Sequence, residues 1–85
     1  MKVKKTQRGF AIIEFEDRYK QKCSLQKSSL ATEDAIWLGV DVGIPIELGG
    51  KGEIVNSRMH LTRKQVKALL PHLETFAKTG SIILP

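Results

Sequence analysis

Phe10-Ala11-Ile12-Ile13-Glu14-Phe15-Glu16-Asp17-Arg18-Tyr19-Lys20-Gln21-Lys22-Cys23-Ser24-Leu25-Gln26-Lys27 is the stretch on which the reading of this chain turns. Its first seven residues are rich in the β-branched and aromatic types that suit a pleated, half-buried surface. Period two puts Ala11, Ile13 and Phe15 on one face and Phe10, Ile12, Glu14 and Glu16 on the other. Asp17-Arg18-Tyr19-Lys20 reads as a turn, because an aspartate side chain can bond the backbone two residues on. From Gln21 to Lys27 the alternation resumes, with Cys23 and Leu25 inward and Lys22, Ser24 and Gln26 outward. Two such runs around a short polar turn predict a β-hairpin.

Ser28 to Asp34 is a polar connection, and Ala35-Ile36-Trp37-Leu38-Gly39-Val40 follows as a strand apolar enough to be central. Residues 41–57 are punctuated by Gly43, Pro45, Gly49, Gly50 and Gly52. A long loop is expected there, with Ile54-Val55 as a short strand. In Ser57-Arg58-Met59-His60-Leu61, a further strand-like run, Met59 and Leu61 point inward. Thr62 and Gln65 have capping-box spacing and start a helix. Val66, Leu69, Leu70, Leu73, Phe76 and Ala77 form one apolar stripe along it. Gly80 is a left-handed stop, and Pro71 predicts a kink near 67–71. Ile82-Ile83-Leu84 is an apolar tail that a monomer must hide, which predicts a homo-oligomer. The expected fold is α+β, an antiparallel β-meander of three to five strands packed by one C-terminal amphipathic helix.

Eighty-five residues make one domain with a thin core. No apolar run approaches the ~18 residues of a membrane span, and the basic start leads into a strand with no signal-peptide pattern. A single cysteine, Cys23, excludes an internal disulfide and suits a reducing compartment, so a cytoplasmic setting is expected. The net charge is +5, but four of the fourteen basic residues lie in 1–8, leaving ten against nine acidic. Residues 1–8 thus read as a basic tail before a nearly neutral domain at 9–85. That weakens a purely electrostatic nucleic-acid reading.

Within the domain, Arg18, Lys20, Lys22 and Lys27 form one basic stretch and Arg58, Arg63, Lys64 and Lys67 another. Acids are favoured at a helix start, yet Arg63, Lys64 and Lys67 stand there, with Arg58 and His60 leading in. Basic side chains around free helix N–H groups suit an anion, so Arg58, His60, Thr62, Arg63 and Lys64 are candidate ligand residues. Tyr19 and Arg18 in the hairpin turn, and Trp37 if it faces outward, add stacking and charge.

Catalytic patterns are sparse. Gly49-Gly50-Lys51-Gly52 lacks the Gly-Lys-Ser/Thr ending and the following helix of a nucleotide P-loop. Cys23 and His60 lack an orienting third group, and His72 lies on the helix. No clustered metal ligands or cofactor motif is legible, and the expectation is a protein that is not an enzyme.

Phe15-Glu16-Asp17-Arg18-Tyr19, Cys23 to Thr32, Ala35 to Val40, Arg58-Met59-His60-Leu61-Thr62 and Leu69-Leu70-Pro71 together resemble a group of small proteins of bacteriophages and prophages. The resemblance covers most of the chain outside 41–57. It implies viral origin and a bacterial host cytoplasm, and it carries over no binding or catalytic residues. Many small phage proteins counter host defence by sequestering nucleotide signals or blocking defence proteins. The expected function is therefore capture of a small anionic, nucleotide-type immune signal. One rival is a protein–protein inhibitor of a host defence or CRISPR-type nucleic-acid enzyme. Another is a nucleic-acid-binding accessory protein, which a steep salt dependence would mark.

Overall fold

In a computed structural model of the chain, residues 1–41, 44–47, 53–56 and 58–85 are described. Strands β1 (Val3–Lys5), β2 (Ala11–Glu16), β3 (Lys22–Lys27) and β4 (Ile36–Val40) form an antiparallel sheet in the order β1-β2-β3-β4. Each strand pairs with its neighbour in sequence, so the sheet is the expected meander, and it stays open. The central hairpin forms as expected, and its register sets Ile13 opposite Leu25 and Phe15 opposite Cys23. β5 (Ile44–Glu47) and β6 (Glu53–Asn56) pair with each other in a second, two-stranded sheet. The Gly49–Gly52 loop falls outside the described residues.

Helix α1 spans Arg63–Thr79 behind the capping box, with the Thr62 hydroxyl accepting the Gln65 N–H and the Gln65 amide oxygen accepting that of Thr62. It runs on through Pro71 and ends where the Gly80 N–H reaches the Phe76 carbonyl at 2.8 Å. Gly80 has φ 79°, and a Cβ there would collide with the Asp34 carboxylate. Asp34 in turn pairs with Lys27 at 2.8 Å, and the Lys27 ammonium lies over the Phe76 ring. The helix end is thus clamped to the β3–β4 connection.

One face of the sheet carries the core. Ile13 and Leu25 meet Leu69 of α1 and Ile82, all fully or almost fully buried, with Phe15, Ile36, Leu61, Leu73 and Phe76 packed around them. His72 is also buried, and its Nδ1 lies 2.7 Å from the Ile82 carbonyl oxygen. A carbonyl only accepts, so the ring proton sits on Nδ1.

Several expectations are corrected. Residues 1–8 are not a free tail: Val3–Lys5 adds a strand, Val3 packing on the core while Lys4 and Lys5 stay exposed. The strand holding Trp37 is an edge, not central, because β5 pairs with β6 instead of extending the sheet. The helix stripe is half right, since Val66, Leu70 and Ala77 are exposed and the buried arc turns toward Leu69, His72 and Phe76. Residues 58–62 form no strand. The apolar tail is divided: Ile82 is buried within this chain, whereas Ile83 and Leu84 are exposed. Truncation of a fully buried isoleucine leaves a cavity worth about 2–5 kcal/mol. Ile82→Ala is expected to lower unfolding free energy by that amount in urea titration, against under about 0.5 kcal/mol for Ile83→Ala at the surface.

Candidate functional site

The hairpin turn, the segment before α1 and the helix start meet at one end of the molecule. Asp17 organises the meeting. It is only 3% exposed. Its Oδ1 accepts the N–H groups of Tyr19 and Gln21 at 2.9 Å, which builds the turn and supports Lys20 at φ 62°. Its Oδ2 accepts the Gln21 side-chain amide at 2.8 Å and the His60 N–H at 3.1 Å. The Arg18 N–H donates to the His60 carbonyl at 2.7 Å, so the turn and residue 60 are linked twice. Gln65 adds a third tie, its side-chain N–H₂ donating to the Glu16 carbonyl at 2.9 Å.

Burial pushes the Asp17 carboxyl up, but the hydrogen bonds from His60, Gln21 and Tyr19 together outweigh it and hold it below its usual value. Gln21 is buried too, and its amide faces the carboxylate with the donor end. Its Oε1 finds no partner among the described residues. Cys23 is buried, and desolvation, followed by the nearby Asp17 and Asp41 charges, pushes its thiol up. It is therefore a poor nucleophile at neutral pH.

Tyr19, Arg58, Met59 and His60 line one open hollow of about 350 Å³ on this end. The Tyr19 and His60 rings are 4.9 Å apart between centroids and tilted by 59°, and both residues are exposed. The structure thus brings together three of the candidate ligand residues, Tyr19, Arg58 and His60, with Arg18 tied beside them through its backbone N–H. Arg63 and Lys64 are exposed on the first turn of α1, which carries no acid. The capping box satisfies the Gln65 N–H, leaving those of Arg63 and Lys64 without an intrahelical partner. Thr62 is mainly a cap, its hydroxyl oxygen already engaged.

Trp37 stands apart. It faces Gln26, four residues along β3 from Lys22, which is roughly 13 Å of strand from the turn. Its surroundings are a separate hollow lined by Ser24, Gln26, Leu38, Gly39, Val40 and Asp41. The sequence marks Asp17 as a turn former but does not single out Gln21. The alternation in 21–27 marks Gln21 as inward, beside Cys23, and a buried amide next to an aspartate was the available signal.

What these features define is a small, open-sheeted α+β domain with one basic, aromatic-lined end. Among the described residues no helix is long and apolar enough to cross a membrane. No protein-family model, curated protein or solved structure matches the chain.

The sign of the Asp17 perturbation sets a pH dependence. A carboxyl held below 3.8 when folded contributes stability that is complete above its unfolded value and is lost as pH falls through the folded one. Thermal melts from pH 7 to pH 2 should lose stability below about pH 4. Asp17→Ala should melt lower at pH 7 and show a shallower acid limb; parallel limbs would remove Asp17 from that role.

Proposed function

We propose that this protein is a non-enzymatic binding protein of phage origin that sequesters a small anionic, nucleotide-type signal of host defence. The observation that carries the proposal is the convergence of Tyr19, Arg58 and His60 in one hollow beside the acid-free first turn of α1. A phosphate suits Arg58, Arg63 and Lys64, whose guanidinium and ammonium groups make charge-assisted hydrogen bonds to phosphate oxygens. A base suits the exposed Tyr19 and His60 rings, since stacking on an aromatic face tolerates any nucleobase. Sequestration asks for affinity without chemistry. A site held by the Asp17 hydrogen bonds serves that, because little ordering remains to be done on binding. The phage origin rests on the resemblance of the sequence blocks around Tyr19, Trp37 and His60.

A second reading, inhibition of a host protein by surface contact, is favoured by Trp37, which is 69% exposed on an edge strand. Buried interface anchors are enriched in tryptophan, so an exposed one is the better sign of a partner surface.

Calorimetric titration with a cyclic dinucleotide, a linear dinucleotide and inorganic phosphate tests the first reading. At least one nucleotide should bind more tightly than phosphate, and Arg58→Ala or Arg63→Ala should weaken it tenfold or more, a loss of about 1.4 kcal/mol. The thermal midpoint without ligand should hold, because neither side chain belongs to the core. Absence of binding heat for every nucleotide would refute this reading, and capture of a host enzyme through Trp37 would favour the second.

A further inference from the structure

The sheet has two edges, and they are built differently. β1 carries Lys4 and Lys5 exposed along its three residues, the charged decoration that discourages strand addition. β4, Ile36-Trp37-Leu38-Gly39-Val40, has no charge and no proline, and among the described residues its one sheet neighbour is β3. Its ladder leaves a definite set of groups unpaired. The Ser28 N–H donates to the Ala35 carbonyl and the Asp41 N–H to the Lys22 carbonyl, both at 2.9 Å. Residues 35, 37, 39 and 41 therefore turn their backbone groups toward β3, and Ile36, Leu38 and Val40 turn theirs outward.

That outward set is symmetric about Leu38. In an antiparallel pairing of two β4 strands centred there, Leu38 faces Leu38 of the other copy, and Ile36 faces Val40. All three outward residues then find partners, giving about six inter-chain hydrogen bonds. Shifting the centre by one residue in either direction pairs only two of the three. The same register sets Trp37 of one copy opposite Gly39 of the other, at the closer, non-hydrogen-bonded spacing. Space exists for it: among the described residues, none beyond the two chain neighbours has a heavy atom within 4 Å of where a Gly39 side chain would begin. A hollow of about 270 Å³ adjoins, lined by Ser24, Gly39 and Asp41 among others. A large exposed ring and a vacant glycine, exchanged across a two-fold axis, cover one another.

We infer that the protein forms a symmetric dimer through antiparallel β4–β4 pairing, with each Trp37 lying over Gly39 of the other copy and the two sheets joined as one. The occupant is a second copy because the strand's hydrogen-bonding groups and its large and small residues are both self-complementary, and because an uncharged strand meets itself without repulsion. The β1 lysines would oppose their own kind in the equivalent pairing. The proposal is independent of the ligand reading, since the seam and the Tyr19–His60 end share no residue.

Sedimentation of the full chain should give twice its 9.5 kDa mass. Trp37→Lys should weaken dimerisation at least tenfold with the far-ultraviolet spectrum unchanged. Leu38→Pro should do the same, because the Leu38 N–H points away from β3 and its loss breaks no internal ladder bond. Trp37 is the sole tryptophan, so its emission should shift to longer wavelength as the dimer is diluted. Leu38→Cys, facing itself across the axis, should form an inter-chain disulfide with oxidised glutathione far faster than Ile36→Cys, while Cys23 stays buried and silent. A monomeric mass at the highest attainable concentration would overturn the proposal. So would a dimer indifferent to both Trp37→Lys and Leu38→Pro, or equal cross-linking at positions 36 and 38.

Discussion

A buried carboxylate holds this molecule in shape. The charge of Asp17 is removed from water, which is costly, and the cost is met by four donors, three of them in its own turn and the fourth the His60 N–H. That fourth bond spans 43 residues of sequence and makes the hairpin turn and the approach to α1 one body. Everything at this end is placed by it: Tyr19 by its own N–H, His60 by its own N–H, and the helix start by the chain between His60 and Thr62. The Gln65 bond to Glu16 then sets α1 against β2. Removing the carboxylate would leave these donors to find water in a region built to exclude it.

Local signals were legible where chain-neighbour chemistry decides the structure. The β2–β3 hairpin, the Asp17 turn, the capping box at Thr62 and Gln65 and the stop at Gly80 all follow from side chains within four residues of each other. Tertiary choices were not. Apolarity alone runs the helix stripe through Val66 and Leu70, but the core takes the arc containing His72, whose imidazole becomes an acceptable core residue through the distant Ile82 carbonyl. The apolar run around Trp37 suggests a central strand, but such a run does not say how many neighbours the strand has. For the site, the basic cluster of Arg58, Arg63 and Lys64 was visible in sequence, and so was Tyr19. That Tyr19 lies against His60 depends on Asp17 bridging them, which spacing alone does not reveal.

Charge and apolar surface are separated in space as well as in sequence. Basic residues gather at the hairpin-turn end and along β1, whereas β4 offers an uncharged edge and an exposed indole. The domain therefore presents two chemically distinct surfaces: one suited to anions, where salt would screen the attraction, and one suited to apolar contact, where salt would strengthen it.

The place of Ile82 in the core also governs when the protein can fold. Ile13 and Leu25 emerge early in synthesis, yet the residue that closes over them comes roughly 60 positions later, several seconds at about 5–20 residues per second. During that interval the nascent sheet carries its apolar face uncovered, together with the unguarded β4 edge. A chaperone that shields extended apolar segments would find its substrate in that window, and the demand for one should rise when translation is slowed between codons 40 and 80.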